Sequence, residues 1–520
     1  MSKLVIIILV FGLMSACTKT KLDDSLPNAF FVFNNSLNKK DMEKIPYEDQ
    51  AILLKKLGYD GIEFKETEGL LEAVDIFKKQ NLKVYTDYVR VDIDKDLPYL
   101  KEWKQVLPKL KGSDILLWIH IHSEKFNPSD EAADSIIVPI VQELADLAQP
   151  YGIRLAIYPH VDFLAEKADD SFRLAAKVDR QNVGSVFNLC HFLKTDSVEN
   201  LEKVIDVTLP KLFAVSISGA DGGDTQNMDW DKLIQPLGKG TFNVYSVVEL
   251  LLDKGYLGPI GLQCYNLQGQ PEDYLKQSME AWKSFYKKYT LSDNILTEEE
   301  KTEGWQLLFD GTTTTNWRGI NKNSFPQSGW KIENGNLIAD VHGGAESGDG
   351  GDIITEKKYS NFILKWDWNM KTKGGNSGVK YFVQEGLGDN QGYGFGLEYQ
   401  LLDDRNFPWM FTGKMKPNDY RTLGALYEIY PAIPEKCPSP LGLWNESMLV
   451  SDGRHVEHWL NGMKILEYER GSSDFNAKVA ESKFKNTPGY GLSEEGHLLL
   501  QDHGSVVHFR NIKIKEITNL

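Results

Sequence analysis

The chain has 520 residues, 41% of them apolar and 25% charged, with four cysteines, which excludes disorder, a collagen-like repeat and a disulfide-stapled miniprotein. At ~100 to 200 residues per domain, at least two domains are expected. Lys plus Arg number 58 against 74 Asp plus Glu, a balance of −16, and so acidic a chain lacks the basic clusters a nucleic-acid surface needs to displace counterions.

The N-terminus carries Lys3, an apolar run from Leu4 to Leu13, and then Met14-Ser15-Ala16-Cys17. A positive start, a short apolar core and small residues before a cysteine resemble a bacterial lipoprotein signal. That resemblance implies residues 1–17 as signal peptide, lipidation at Cys17, and an exported protein held to a membrane at the periplasmic or cell-surface side. The run is too short to span ~30 Å of hydrocarbon as a helix; an uncleaved anchor is the alternative. Cys190, Cys264 and Cys437 remain, with no metal-type spacing, and read as buried thiols.

From about 28 to 289, eight β-rich runs alternate with amphipathic stretches: Phe30–Phe33, Gly61–Phe64, Leu82–Tyr85, Ile115–Ile121, Arg154–Tyr158, Val183–Phe187, Leu212–Ile217 and Pro259–Gln263. Alternation of this kind predicts parallel strands with crossover helices, and eight units in this length predict a TIM barrel. In that fold, chemistry sits where strands end, which singles out Lys65, His120, His122, His160, Asn188, His191, Ser216 and Gln263. Residues 290–303, polar and acidic, read as a linker.

From 304 to 520 helical periodicity is almost absent, and period-two runs take over, such as Phe362 to Asn369. Asn461-Gly462 between Val456–Leu460 and Met463–Leu466 is a strong hairpin signal. An antiparallel β-sandwich is expected here, and it accounts for the tryptophans, four before residue 300 and eight after it.

The runs Tyr59 to Phe64, Ala156 to His160 and Gly184 to His191 resemble the sugar phosphate isomerase and epimerase family, the xylose-isomerase-like barrels. That family implies a divalent metal held by Glu, Asp, His and Glu after strands five to eight. Tyr158, Asn188, Ser216 and Gln263 stand at those places here, so no metal is expected in the barrel. What remains is a polar ring of His160, Asn188, His191, Ser216 and Gln263. It suits sugar hydroxyls or metal-free chemistry such as hydration, the alternative being a retired, purely structural site.

Gly304-Trp305-Gln306-Leu307-Leu308-Phe309-Asp310-Gly311, Asn376-Ser377-Gly378, Gly394 to Asp404, Trp444-Asn445 and Phe509-Arg510-Asn511-Ile512 together resemble the 3-keto-disaccharide hydrolase family, which implies a concanavalin-like jelly roll. Period two independently places Phe395, Leu397, Tyr399 and Leu401 on the core face and Gly394, Gly396, Glu398 and Gln400 on the other. Lys380, Gln501 and His503 fall on polar faces by the same parity.

The resemblance implies cleavage of a 3-keto-glycoside, in which the C3 ketone acidifies the C2 hydrogen so that a base can trigger loss of the C1 aglycone, followed by water addition. The expected roles are Glu398 as base, Lys380 or a cation on the enolate oxygen, and His503 as proton donor to the leaving group. Gln400, Asp403, Asn445, Gln501 and Tyr427 are expected to hold the sugar, as are His160, Asn188, His191 and Gln263 in the barrel. No dinucleotide fingerprint is present: the triplet Gly392, Gly394 and Gly396 has the wrong spacing and no following helix. No cofactor is expected, and a separate 3-dehydrogenating oxidoreductase must supply the ketone. Gly343 to Gly351, with Glu346, Asp349 and Asp352, is either a cation loop or a hairpin tip. Two rivals stand beside this reading: an ordinary two-carboxylate glycosidase, and a non-catalytic carbohydrate-binding sandwich with Trp409, Trp444 and Tyr427 as stacking platform.

Overall fold

The computed structural model describes residues 25–37, 45–291, 293–340, 350–386 and 394–517. Cys17 with its signal segment, Glu346, Asp349 and Gly392 lie outside them. No helix among the described residues is long and apolar enough to cross a membrane.

All eight predicted runs are strands of one closed parallel barrel: β1 Phe30–Val32, β2 Gly61–Phe64, β3 Lys83–Asp92, β4 Leu116–His122, β5 Arg154–Ile157, β6 Val183–Asn188, β7 Leu212–Ile217 and β8 Ile260–Leu262. Strand alternation divides the apolar residues. Phe31, Phe33, Trp118, Tyr158 and Val186 fill the lumen, while Phe30, Val32, Leu117, Leu155 and Phe187 pack against the surrounding helices. Gly261 makes room for this filling, because a Cβ there would lie 2.7 Å from the Phe31 ring and 2.8 Å from that of Phe33. β3 runs seven residues past the expected Tyr85, to Asp92, and this carries Tyr88 and Arg90 to the mouth of the barrel.

The C-terminal half is antiparallel, as expected. Its strands are β9 Trp305–Leu307, β10 Trp317–Gly319, β11 Trp330–Glu333, β12 Asn336–Ala339, β13 Ile353–Thr355, β14 Phe362–Met370, β15 Asn376–Gln384, β16 Phe395–Leu402, β17 Asn445–Asp452, β18 His455–Leu460, β19 Met463–Glu469, β20 His497–Leu500 and β21 Val507–Glu516. They form a five-stranded sheet in the order β10-β13-β20-β15-β16 and an eight-stranded sheet in the order β11-β12-β21-β14-β17-β18-β19, with β9 paired to β21. Asn461 and Gly462 both have positive φ, at 47° and 83°, the signature of a type I′ hairpin. Period-two reading misses two helices, the single turn Pro408–Phe411 and the longer Ser473–Glu481, which is capped by the Ser472 side chain accepting from the Phe475 N–H. Its short apolar stripe, anchored by buried Phe475, is hidden among the polar residues around it.

The segment 290–303 is more than a linker. It contains the helix Glu298–Thr302, closed by a Thr297/Glu300 capping box, and it is strapped to β21. Asn294 exchanges hydrogen bonds with Asn511 at 2.7 and 2.8 Å, Lys513 pairs with Glu300, and Lys515 pairs with Glu303. Cys190, Cys264 and Cys437 are buried free thiols.

Candidate functional site

The five-stranded sheet turns one face to the sandwich core and the other to a groove of about 360 Å³. Leu397, Tyr399, Leu401, Val379 and Tyr381 enter the core, so the residues between them emerge on the other side. In the β15–β16 register Lys380 stands opposite Glu398 and Gly378 opposite Gln400, and the Gln501 N–H donates to the Gly378 carbonyl at 3.0 Å. Gln400, Gly378 and Gln501 therefore form one row across the sheet and Glu398 with Lys380 the next. At Gly378 a Cβ would lie 2.5 Å from Glu398 Oε1; the missing side chain is what lets the Glu398 carboxylate lean over this strand.

Lys380 is 7% exposed and Glu398 7%. The Lys380 ammonium lies 3.9 Å from Glu398 Oε2 and 3.9 Å from Asp352 Oδ2, and donates to the Gly394 carbonyl at 3.2 Å. Asp352 is fully enclosed: its Oδ1 accepts from the Asp502 N–H at 3.0 Å and its Oδ2 from the Gly394 N–H at 3.4 Å. Burial raises its carboxyl to about 6, against the pull of Lys380 and the two N–H donors. His503 Nε2 lies 3.2 Å from Asn376 Nδ2. Three amide oxygens in the groove, Asn376 Oδ1, Gln400 Oε1 and Gln501 Oε1, are buried without a hydrogen-bond partner among the described residues. Buried acceptors left unpaired cost ~1 to 3 kcal/mol each, and a ligand rich in hydroxyl donors removes that cost.

The structure thus brings together Glu398, Lys380, His503, Gln400, Gln501 and Tyr427. It does not bring Asp403 or Asn445 there. Asp403 follows the end of β16, and its Oδ2 accepts from the Gly374 N–H at 2.8 Å and Asn406 Nδ2 at 2.9 Å. Asn445 Oδ1 accepts from the Ser439 N–H at 2.7 Å and Asn461 Nδ2 at 3.1 Å, tying a loop to a hairpin. Both sit on a separate, smaller cavity with Glu199 of the barrel. Phe395, expected in the core, lines the groove instead. A bulge shifts the register between Tyr381 and Gln384, where Phe395 pairs, and Phe382 takes a φ of 55° to make it. Trp409 is covered by Lys414 at 3.6 Å and Trp444 by Arg510 at 4.0 Å, and neither lines the groove. Asp352, Asn376, Lys483 and Phe484 were not singled out for this site. Asp352 carries a signal only as part of the supposed cation loop and Asn376 only within the motif Asn376-Ser377-Gly378, while Lys483 and Phe484, in the turn after the helix Ser473–Glu481, reach the groove through tertiary packing.

The barrel mouth is a second cavity, of about 700 Å³. Of the four places where the barrel family implies metal ligands, Tyr158 and Gln263 line it, whereas Asn188 and Ser216 are buried and do not. Their chemistry does not fit a divalent cation. Asn188 Nδ2 donates to the Tyr158 hydroxyl, and its Oδ1 caps the next helix at the His191 N–H. Gln263 Oε1 already accepts from Asn35 Nδ2 and the N–H groups of Cys264 and Tyr265, each at 3.0 Å. Among the described residues the single trio of His, Cys, Asp or Glu close enough to hold an ion is His455, Glu457 and Glu467 on the β18–β19 hairpin, where Lys464 pairs with both glutamates. His160 and His191 line the mouth with His120 and His122. Burial keeps these imidazoles neutral, lowering His120 to about 2 and His122 to about 4, with His160 and His191 also held down. Glu63, within β2, and Tyr88 and Arg90, on the unexpected extension of β3, complete the lining.

Residues 304–515 match the 3-keto-alpha-glucoside-1,2-lyase-like domain and residues 51–285 the xylose isomerase-like TIM barrel. The 3-keto-disaccharide hydrolase of Bacteroides thetaiotaomicron is 36% identical over 234 residues, 41% of this chain and 78% of that protein. The chain belongs to the 3-keto-disaccharide hydrolase family. Its C-terminal half is accordingly the hydrolase and lyase domain, with the groove of Glu398 and Lys380 inside the matched stretch. In the barrel half, the inosose isomerase of Halalkalibacterium halodurans is 22% identical over 249 residues, 44% of this chain and 85% of that one. A solved protein of Parabacteroides distasonis is 39% identical, covering 44% of this chain and 100% of its own, with a TM-score of 0.38.

Proposed function

We propose that the chain is an exported enzyme that cleaves a 3-keto-glycoside in the sandwich groove. The observation that carries this reading is the pairing of Glu398 with Lys380 on a floor of three buried, unpartnered amide oxygens, those of Asn376, Gln400 and Gln501. Sugar hydroxyls satisfy the acceptors and hold the ring against the carboxylate. Glu398 removes the C2 proton, the electron pair of that bond moves toward C3, and charge develops on the ketone oxygen, where the Lys380 ammonium stabilises it. The carbonyl then re-forms, C1 and C2 become doubly bonded, and the C1 aglycone departs with a proton from His503. Addition of water across the C1–C2 double bond completes a net hydrolysis.

An ordinary two-carboxylate glycosidase needs a second carboxyl that reaches the glycosidic oxygen. Asp352 is the other carboxyl beside Lys380, but it is 1% exposed and both its oxygens are held by backbone N–H groups. The barrel binds or further processes the sugar without the family's metal ligands. Lipidation at Cys17 anchors the protein to a membrane, and a separate 3-dehydrogenating oxidoreductase makes the ketone.

The test compares matched glycosides with and without the 3-keto group, in deuterated water, on the full chain. Cleavage confined to the oxidised substrate, with deuterium entering at C2, is expected. Glu398→Gln should lower kcat by two or more orders of magnitude. Equal turnover of the unoxidised glycoside, or a near wild-type rate for Glu398→Gln, would sink the reading, and binding without cleavage would leave a carbohydrate-binding module.

A further inference from the structure

The larger cavity belongs to the barrel, and its donor set is unlike that of a metal centre. Glu63, 6% exposed within β2, accepts the Asn34 N–H on Oε2 at 2.8 Å, while its other oxygen has no hydrogen-bond partner among the described residues, on a side chain that lines the cavity. One oxygen is therefore fixed and the other presented. Opposite hydrogen-bonding roles are fixed on two imidazoles whose ring centroids lie 4.1 Å apart. His160 Nδ1 lies 2.7 Å from the Val161 carbonyl and must carry the proton, leaving Nε2 as acceptor. His191 Nδ1 accepts the Val161 N–H at 3.4 Å, leaving its Nε2–H as donor. An acceptor beside a donor matches a hydroxyl group, which is both.

Phe33, Tyr88, Phe163 and Trp230 supply apolar faces around these groups. The ionic groups at the rim are of mixed sign: Arg90 pairs with Asp92 at 3.3 Å, and Lys65 and Asp162 face the cavity with opposite charges. Nothing there selects an anion. Among the described residues no trio of His, Cys, Asp or Glu in the mouth is close enough to share an ion; of the four places the barrel family uses, Tyr158, Asn188 and Gln263 are engaged by the bonds described above, and Ser216 offers one buried neutral hydroxyl in place of an imidazole.

We propose that the barrel mouth is a second, metal-independent carbohydrate site, in which the presented oxygen of Glu63 and the imidazoles of His160 and His191 hold the hydroxyls of a neutral sugar. The inference rests on the reading of the barrel as a metal-free, sugar-binding half; it adds Glu63 and the opposite donor and acceptor roles of the two imidazoles. Burial moves the Glu63 carboxyl up to about 7, against Asn34 and Lys65, so this group can act as hydroxyl donor or acceptor at neutral pH.

The experiment uses the full chain, purified through EDTA, with elemental analysis and calorimetric titration with glucose and with 3-keto-glucose. Expected are far less than one zinc, manganese or magnesium ion per chain, sugar binding unchanged by the chelator, and binding at least tenfold weaker at one of two sites in both Glu63→Gln and His160→Ala. An ion retained at one per chain, whose removal abolishes that binding, would overturn the proposal. So would a single sugar site indifferent to both substitutions. If neither variant folds, metal content and chelator-resistant binding of two sugars by the wild type still decide. Turnover of 3-keto-glycosides by the same preparations tests the sandwich reading separately, and either result can fail without the other.

Discussion

Glu63 is a carboxyl taken out of water with no ion pair among the described residues. Desolvation raises it to about 7, and the Asn34 N–H and Lys65 only partly oppose the shift, while Tyr88 lines the same cavity. A folded-state value above the unfolded one means that the native protein holds its proton longer, so this group's cost grows as pH rises from the unfolded value near 4.5 to about 7 and is constant above. Glu63→Gln should therefore raise Tm at pH 8, by a stability gain of up to about 3 kcal/mol, and leave it nearly unchanged at pH 4. Equal Tm gains at both pH values would contradict this assignment. The residue was invisible in sequence for a simple reason. Glu63 stands inside a strand, and whether a strand carboxylate faces lumen, helix or mouth depends on the closure of the barrel. Asp403 and Asn445 err in the other direction: each looks like a sugar ligand beside family motifs, yet each spends its oxygen on backbone N–H groups.

At the scale of the element, β15 and β16 carry most of the groove. Their parity was legible in sequence, because Leu397, Tyr399 and Leu401 must share one face and Glu398 and Gln400 the other. What alternation could not supply was the row in which each residue lies. That depends on the pairing of Lys380 with Glu398 and Gly378 with Gln400, and on the bulge at Phe382, which re-aims Phe395. Gly378 matters at this level. An added methyl meets the mobile end of the Glu398 side chain and no backbone, so the sheet can keep its register while the carboxylate moves. Gly378→Ala should lower kcat at least tenfold, since an ångström of misplacement is costly in a base, with Tm within a few degrees of wild type. A large fall in Tm with kcat intact would show the glycine to be structural only.

The whole molecule is held at its junction by Arg510. Its guanidinium reaches Glu249 of the barrel helix Val244–Asp253 at 2.8 Å, Asp293 of the connecting segment at 3.0 Å and Asp367 of β14 at 3.3 Å, and lies over the Trp444 ring. Lys288–Glu446 at 2.5 Å and Asn243–Ser439 at 3.0 Å add to the contact. Because the helix is covered on both sides, every residue from Val244 to Leu252 is buried, including Glu249. Arg510→Met would strand buried carboxylates, at about 3 to 5 kcal/mol, and should split thermal unfolding into two transitions as the halves uncouple; a single transition at the wild-type Tm would remove Arg510 from this role.

By itself the sequence determined the two architectures, since the period of its apolar residues changes near residue 300 and each period admits one way of hiding them. It also carried the outward parity of Glu398 and Lys380, because period two acts within the single strands β16 and β15, whereas His503 lies past the end of β20. Tertiary structure alone decided which polar residues meet. The Glu398–Lys380–Asp352 cluster, the closure of the barrel's metal places by Asn188, Tyr158 and Gln263, and the junction at Arg510 all join residues 18 to 261 positions apart, and such contacts are set by strand register and packing rather than by local pattern.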